Sequence, residues 1–583
     1  MSNILYTMSL EAYDTQKNNL KGLSDDRPFP GRMDTRLKSK DEIALDGKMK
    51  EYRDKEIRRA KGLDAQKKVL EADAYLPAEP FYNVKERIEK SYIYKVFQKM
   101  PKGGLLHVHS AAALSADGLI ELLRSWSETE NLLKIGIVTS EIKDENNKVI
   151  MEAGTLNYIV RLKRRAKGRY MEIGEYLAAE ENRRTLKNYL TINRETENKD
   201  VWLEFNHIFS RTSGLFEYGP FYRKYHEAFF RECLNDRIYY VEIRCGFEEV
   251  KGSEEIQDAP MIHERIPEYT TDRHLHYHDM MMEVDPVNPD AKFLDALTEA
   301  VQTVNVGRDM SEQIKLKVIL NARRSLDAKE GRDKEQLAKK IDAAIVLKRK
   351  DKYANLIIGF DFVSEEDRGQ TTDSYAKDII YGNMGTGYTF QPFPANHLGW
   401  EEQPRIQNIH FFLHDGESNW NDDANVLDAA IISKHRIGHG FNMNKFMEMT
   451  DKILKNKANE TIKDRVIEPV LEICPISNQL LRYIPDLRNH PAYELMKKGI
   501  GCVICSDDPQ ILDNPGLSYD FYEAYMGMQL SLADIKAMVK TAYCYQKFSY
   551  YGNGNLDGAY DSIEDDFNQA WNGFVNEANK LLF

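Results

Sequence analysis

The stretch GLLHVH (Gly104–His109) is a short apolar run with a β-branched valine between two histidines. Side chains on a strand alternate with a period of two, so His107 and His109 point to the same side. Seven further runs of the same kind follow: IYYVEIRC from Ile238, IKLKVILN from Ile314, NLIIGFDF from Asn355, IHFFLH from Ile409, RIGH from Arg436, VLEICP from Val470 and IGCVICS from Ile500. Most are separated by helix-length amphipathic segments. Parallel strands covered on both faces read as continuous apolar runs, and eight of them alternating with helices predict an α/β fold, a (β/α)8 TIM barrel.

Two spacers are too long for one barrel helix. Residues 127–195 have a mixed pattern of their own and predict a small domain inserted after strand one. Residues 246–300 are polar and predict a long loop. Residues 1–99 are rich in Lys, Glu and Asp with helix-like apolar spacing. They predict a helical extension, a candidate dimerisation arm or protein-docking element, ahead of a barrel over 100–583.

The composition narrows the partners. A net charge of −13 over 583 residues opposes sustained nucleic-acid binding, because phosphate neutralisation supplies most non-specific affinity. The basic cluster RLKRRAKGR, Arg161–Arg169, reads as a solvated face. No apolar run has the length of a membrane helix, and MSNILYTMSLEAYDTQKNN shows no basic region followed by an apolar one. Six cysteines, most of them inside apolar runs, read as small buried hydrophobes. The expectation is a cytoplasmic, homo-oligomeric protein with a small-molecule partner and no membrane association.

In such a barrel, chemistry sits where the strands end. His107 and His109 close strand one, His414 strand five, His439 strand six, and Asp507 and Asp508 strand eight; Glu417 follows His414 in LHDGES. A nitrogen and oxygen donor set without thiolates suits zinc, with a position kept for water. With His107, His109, His414 and Asp507 as ligands, the expected cofactor is Zn2+, which makes bound water acidic near neutral pH. Glu417 is placed to carry a proton, and His439 to orient and deprotonate the water. Asp508 stays free for substrate.

Here the sequence resembles the adenosine deaminases, and among them the growth-factor type. The matching pieces are MPKGGLLHVH, YYVEIR, GFDFVSEED, FFLHDGES, NVLDAAIISKHRIGHGF, LEICPISNQLLRYIPDLRNHPAYELMKKGIG, SDDPQIL and GLSYDFYEAYMGM, in family order from about residue 90 to 550. The resemblance implies hydrolytic deamination at C6 of an adenine ring, to ammonia and an inosine-type product. It implies that His107, His109, His414 and Asp507 bind zinc, and that Glu417 protonates ring N1. His439 would hold the attacking water, and Asp508 would share a hydrogen bond with N7. The family's strand-four glycine is Ser364 here, whose N–H is left to donate to N3. Trp202 joins the candidate substrate-binding residues.

Three departures bear on the substrate. Nucleoside deaminases carry an acidic residue just after H-x-H that accepts from the ribose 5′-hydroxyl; here Ser110 and Ala111 stand there. After strand three the growth-factor type has Asp-His, whereas NARRS puts Ala322 and Arg323 at those places, followed by Arg324. Losing an anion and gaining cations predicts a 5′-phosphorylated substrate such as AMP or dAMP over the free nucleoside, bound with the help of Arg323, Arg324 and Ser110. The alternative is that Asp117 or a residue of the inserted domain supplies the missing contact while Arg323 pairs an acidic neighbour. The third departure is Asp415, where alanine is usual.

Other classes fit less well. A binuclear amidohydrolase on this barrel would want a lysine at the end of strand four, and GFDFVSEED has none. The zinc deaminases of nucleic acids need H-x-E and P-C-x-x-C, which CVIC does not provide. A non-enzymatic binding protein of this fold would be expected to have lost Glu417, His439 or Asp507. The tract RHLHYHD, with His274, His276 and His278, reads as an exposed loop element more than a second metal site.

Overall fold

A computed structural model describes residues 36–63, 71–127, 134–143, 149–152, 156–159, 169–251, 284–324, 332–375, 409–433, 436–451, 469–548 and 556–582, with residues 15, 66 and 68. The barrel strands are β1 (Leu105–His109), β2 (Tyr240–Cys245), β3 (Lys315–Arg323) and β4 (Ile357–Val363). Two short pieces, His410–Phe411 and His414–Asp415, take the place of β5. They are followed by β6 (Arg436–His439), β7 (Val470–Ile473) and β8 (Cys502–Ile504).

Every pairing in this series is parallel. β1 to β4 and the first piece of β5 form one sheet, and the second piece of β5 with β6 to β8 forms another. The sheets meet within β5, whose Phe412 N–H bonds to Phe360 on one side while its Leu413 carbonyl accepts from Gly438 on the other. They meet again where β1 abuts the end of β8: His109 N–H donates to the Asp507 carbonyl at 3.1 Å and Asp507 N–H to the His107 carbonyl at 3.2 Å. These bonds link the two sheets in the strand order predicted for a ring of eight. β2 and β4 are buried along their whole length, as the apolar runs require.

The N-terminal extension is helical where described. The helix Lys40–Ala60 opens on a capping box in which Ser39 accepts from Glu42 N–H and the Glu42 carboxylate accepts from Ser39 N–H. It lies against the helices Leu532–Phe548 and Leu556–Leu582: Leu45 and Met49 are buried, and the Glu42 carboxylate takes bonds from Lys536 Nζ at 2.6 Å and Trp571 Nε1 at 2.9 Å. The segment after β1 folds as antiparallel strands Lys134–Lys143, Val149–Glu152, Leu156–Ile159 and Arg169–Glu172, then helices Ile173–Leu177 and Glu180–Leu190. The loop expected over 246–300 ends early. KFLDALTEAVQTVN forms the helix Lys292–Asn305, burying Phe293, Leu294, Leu297, Ala300, Val301 and Val304 at helical spacing. His274, His276 and His278 lie outside the described residues.

Candidate active site

The site starts inside the barrel, below the strand ends. Charged residues stand within the apolar strands: Glu242 and Arg244 on β2, Asp361 on β4, Arg436 on β6 and Glu472 on β7, all buried. Arg244 bonds Asp361 Oδ2 through Nε at 2.6 Å and Glu472 Oε2 through Nη2 at 2.7 Å. Arg436 bonds Glu472 Oε1 at 2.7 Å and also grips Glu242. The carboxylates so fixed each hold a histidine by Nδ1. His107 donates to Glu472 Oε2 at 2.9 Å, and His414 to Asp361 Oδ2 at 2.7 Å. Each bond fixes the ring's orientation and leaves Nε2 as the ligand atom.

The Nε2 atoms converge. His107 Nε2 and His109 Nε2 each lie 3.3 Å from Asp507 Oδ1, and His109 Nε2 lies 3.2 Å from His414 Nε2. One donor atom from each of His107, His109, His414 and Asp507 falls within 4.8 Å of the others. His107 Nε2 is buried with no hydrogen-bond partner. An orphaned imidazole nitrogen facing two more imidazoles and a carboxylate is the environment a borderline divalent cation satisfies, and the set fits zinc. Gly438 on β6 makes room, since a Cβ there would stand 3.3 Å from the His107 ring and 3.2 Å from the Leu413 carbonyl.

Burial drives the His414 imidazole down to about 3 and pushes His439 well below the ordinary range, so both rings are neutral ligand or base forms. Burial pushes Asp507 upward, but the His107 and His109 imidazoles 3.3 Å away outweigh it and hold the group well below the carboxylate range. Ser477 Oγ donates to its other oxygen at 2.7 Å. Glu417 goes the other way. Burial first, then the charges of Asp507, Glu366, Asp367 and Asp508, push its carboxyl well above the ordinary value and keep its proton on.

Glu417 is 3.5 Å from His439 Nδ1, which is also 3.3 Å from Asn478 Nδ2. The turn that presents Glu417 is held by Glu366, whose carboxylate accepts from Gly416 N–H at 2.9 Å, Glu417 N–H at 2.7 Å and Asn425 Nδ2 at 2.9 Å. A cavity opens above, lined by His109, Ser110, Arg323, Ser364, Glu417, His439 and Asp508 among others. The helix Val201–Phe216 walls it with Trp202, Phe205 and Phe209, and Trp202 Nε1 donates to Tyr483 Oη at 2.9 Å. Asp508 Oδ1 is buried without a partner.

Of the residues expected at the site, His107 joins the donor cluster and all the others but one line this cavity. The exception is Arg324. It is buried and pairs with Asp415, with further bonds to the His414 carbonyl, to Thr372 Oγ1 at 3.0 Å and to the Gln370 carbonyl at 3.1 Å, and it does not line the cavity. The side chain after Arg323 on an extended strand leaves on the opposite face, which takes it away from the substrate. Asp117 is no substitute for the missing acid, being spent on Lys187 at 2.6 Å at an exposed position. Cys502 and Cys505 are buried free thiols.

Ser364 has φ +94°, His439 +57° and Asp507 +63°. At Ser364 that conformation favours glycine, which explains the family's residue at this place. Sequence reasoning gave no role to Glu472, Asp361, Arg244 or Glu366. Their signal was present as charged residues in the middle of apolar strands and in the repeated acids of SEED.

A family profile described as "Adenosine deaminase" matches residues 389–545. Adenosine deaminase 2 of Sus scrofa is 27% identical over 523 residues, covering 86% of this chain and 84% of that one. An adenosine deaminase of Phlebotomus duboscqi is 26% identical over 475 residues, covering 80% and 76%. Among solved structures, that of Arabidopsis ADAL complexed with IMP is similar with a TM-score of 0.48 at 14% identity, covering 81% of this chain and 98% of that one. The profile match and these relatives, which span most of its length, make the chain similar to the adenosine deaminases, the growth-factor (adenosine deaminase 2) type among them, and support a hydrolytic deaminase.

Proposed function

We propose that the chain catalyses zinc-dependent deamination at C6 of an adenine nucleoside or 5′-nucleotide, adding water, breaking the C6–N6 bond and releasing ammonia and the inosine-type product. The observation that carries this reading is the convergence of His107, His109, His414 and Asp507 within 4.8 Å, with Glu417 and His439 beside them. Zinc, when bound there, supplies a Lewis acid that makes water a nucleophile near neutral pH.

The chain's own residues do the rest. Glu417, its proton retained by burial, gives that proton to ring N1 and draws electron density from C6. His439, neutral and 3.9 Å from Asp507 Oδ2, takes a proton from the attacking water. Asp508 meets N7 with its unpartnered oxygen, and the Ser364 N–H meets N3. The aromatic wall of Trp202, Phe205 and Phe209 covers the sugar end and limits water.

Arg323 at the cavity wall supports a 5′-phosphorylated substrate, and Arg324, withdrawn to Asp415, does not contribute. Six free, buried cysteines suit a reducing compartment, which supports a cytoplasmic place of action in nucleotide metabolism. Homo-oligomeric assembly belongs to the same proposal and is read by sedimentation.

The test is ammonia release from adenosine, deoxyadenosine, AMP and dAMP by zinc-loaded protein, with Glu417→Gln as control. The reading expects turnover that falls by about 10²–10⁴-fold in the variant. Turnover of none of these substrates, or activity untouched by Glu417→Gln, would sink it.

A further inference from the structure

The family's acid after H-x-H is missing, yet the cavity holds a carboxylate that neither the metal cluster nor the chemistry uses. It belongs to Glu248, three residues beyond the end of β2, and it lines the cavity together with Ser110, Ala111 and Arg323. β1 and β2 run side by side, with His109 level with Arg244, so the chain leaving β2 passes next to Ser110. Tyr222 bonds Cys245 Sγ at 3.4 Å, contacts Ser110 and lies within the field of Glu248, which places the three in one corner.

The register on the other side is equally informative. Cys245 pairs with Leu320 across β2 and β3 as the last pair of that register, and Arg323 stands three residues further along β3. Gly246 and Asn321 confirm that the two strand ends stay adjacent: a Cβ on Gly246 would stand 3.5 Å from Glu248 Oε1 and 3.7 Å from Asn321 Oδ1. The carboxylate thus folds back toward the end of its own strand, at the cavity wall. Arg323 Nη2, for its part, donates to Asn206 Oδ1 at 3.2 Å, and its charge reaches Asp508. Arg323 and Glu248 therefore line one cavity as a cation and an anion, both half-buried.

A ribose 5′-phosphate presents the complementary pair. Its phosphate seeks a guanidinium, and its vicinal 2′- and 3′-hydroxyls seek a carboxylate, which accepts both with its two oxygens. We propose that Glu248 is the residue that receives the ribose hydroxyls, making the enzyme a reader of ribonucleotides over deoxyribonucleotides while Arg323 holds the phosphate. The proposal rests on the deaminase reading above and adds the sugar to it. Position, not sequence likeness, assigns this role: the acid lost from β1 is returned from β2, displaced from the 5′ end of the sugar toward its diol.

The experiment compares kcat/KM for AMP, dAMP, adenosine and deoxyadenosine in the wild-type zinc-loaded chain, Glu248→Gln and Arg323→Ala. Ratios taken on one preparation cancel any change in the fraction folded. The expected result is an AMP:dAMP ratio of about ten or more that collapses several-fold toward one in Glu248→Gln, with the AMP:adenosine ratio retained; hydrogen bonds to charged groups carry discrimination of that order. Arg323→Ala should do the reverse, lowering AMP:adenosine and sparing AMP:dAMP. An AMP:dAMP ratio near one in the wild type, or one unmoved by Glu248→Gln, overturns the proposal while leaving the deaminase reading in place. If nucleosides are the better substrates, the phosphate reading falls and the adenosine:deoxyadenosine ratio decides on Glu248 in the same way. Ammonia from none of the four overturns both.

Discussion

Arg324 and Asp415 are each other's buried counter-charge. The guanidinium from the end of β3 reaches across to the carboxylate beside His414, and Thr372 Oγ1 donates to the same carboxylate at 2.8 Å. Both side chains are fully enclosed. Two departures from the family's pattern, an arginine in NARRS and an aspartate in LHDGES, are thus one feature, and a change at either position requires the other.

Removing one partner strands a buried charge. Arg324→Met is expected to cost about 3–5 kcal/mol, and the pair Arg324→Met with Asp415→Ala distinctly less, because the double change removes both charges. Chemical unfolding of the two variants checks this, and equal losses would show that the ion pair is not the coupled unit.

Ser364 holds the left-handed conformation that glycine adopts without strain. Ser364→Gly should stabilise the fold by about 1 kcal/mol, since an L-residue loses roughly 1–2 kcal/mol there. The gain is measured as a higher unfolding midpoint. Because the N–H assigned to ring N3 stays, turnover should change little; a stability loss would mean that the serine hydroxyl carries a bond worth more than the strain.

Chelation should lower both activity and thermal stability. A cation that binds the folded cluster at a thousandfold over its Kd contributes about 4 kcal/mol, and the orphaned His107 Nε2 and its neighbours lose that on stripping. Metal analysis should give one zinc per chain, and zinc, not magnesium, should restore the melting temperature. His414→Ala should take up less metal.

The contact that ties residues 40–60 to the C-terminal helices has an acid limit. Burial raises the Glu42 carboxyl, but the bonds from Lys536, Ser39 and Lys38 outweigh it and hold the group at about 2, against an ordinary 4.5. Its contribution is therefore complete above about 4.5 and is lost as the pH falls toward 2. Hydrogen exchange over the helix Lys40–Ala60 should speed up across that window before the barrel strands do. Unaltered protection there would assign the helix's hold to Leu45 and Met49 instead.

Much of this was legible in the sequence because each strand end carries its own chemistry. The run GLLHVH located β1 and two candidate ligands together, and His414, His439 and Asp507 likewise stand at strand ends. Partner choice was harder to read. Neighbouring arginines on a strand face opposite ways, and only the pleat decides that Arg323 reaches the cavity while Arg324 turns to Asp415. Glu248 was hidden for another reason: it lies past the end of β2, in a stretch whose polar composition marks a loop, and only the folded chain brings it to the cavity wall. The interior charges Arg244, Asp361 and Glu472 were written in plain view, but their pairing is a matter of three strands meeting.

The seam between β1 and β8 has a consequence for how the enzyme comes into being. Three backbone positions, His107, His109 and Asp507, join β1 to the end of β8 by hydrogen bonds and are also three of the four positions proposed to bind metal. A growing chain cannot assemble this cluster until its last barrel strand has found its first. Metal capture is then a signature of completed synthesis, and a fragment ending before Asp507 stays inert however well its earlier strands have folded.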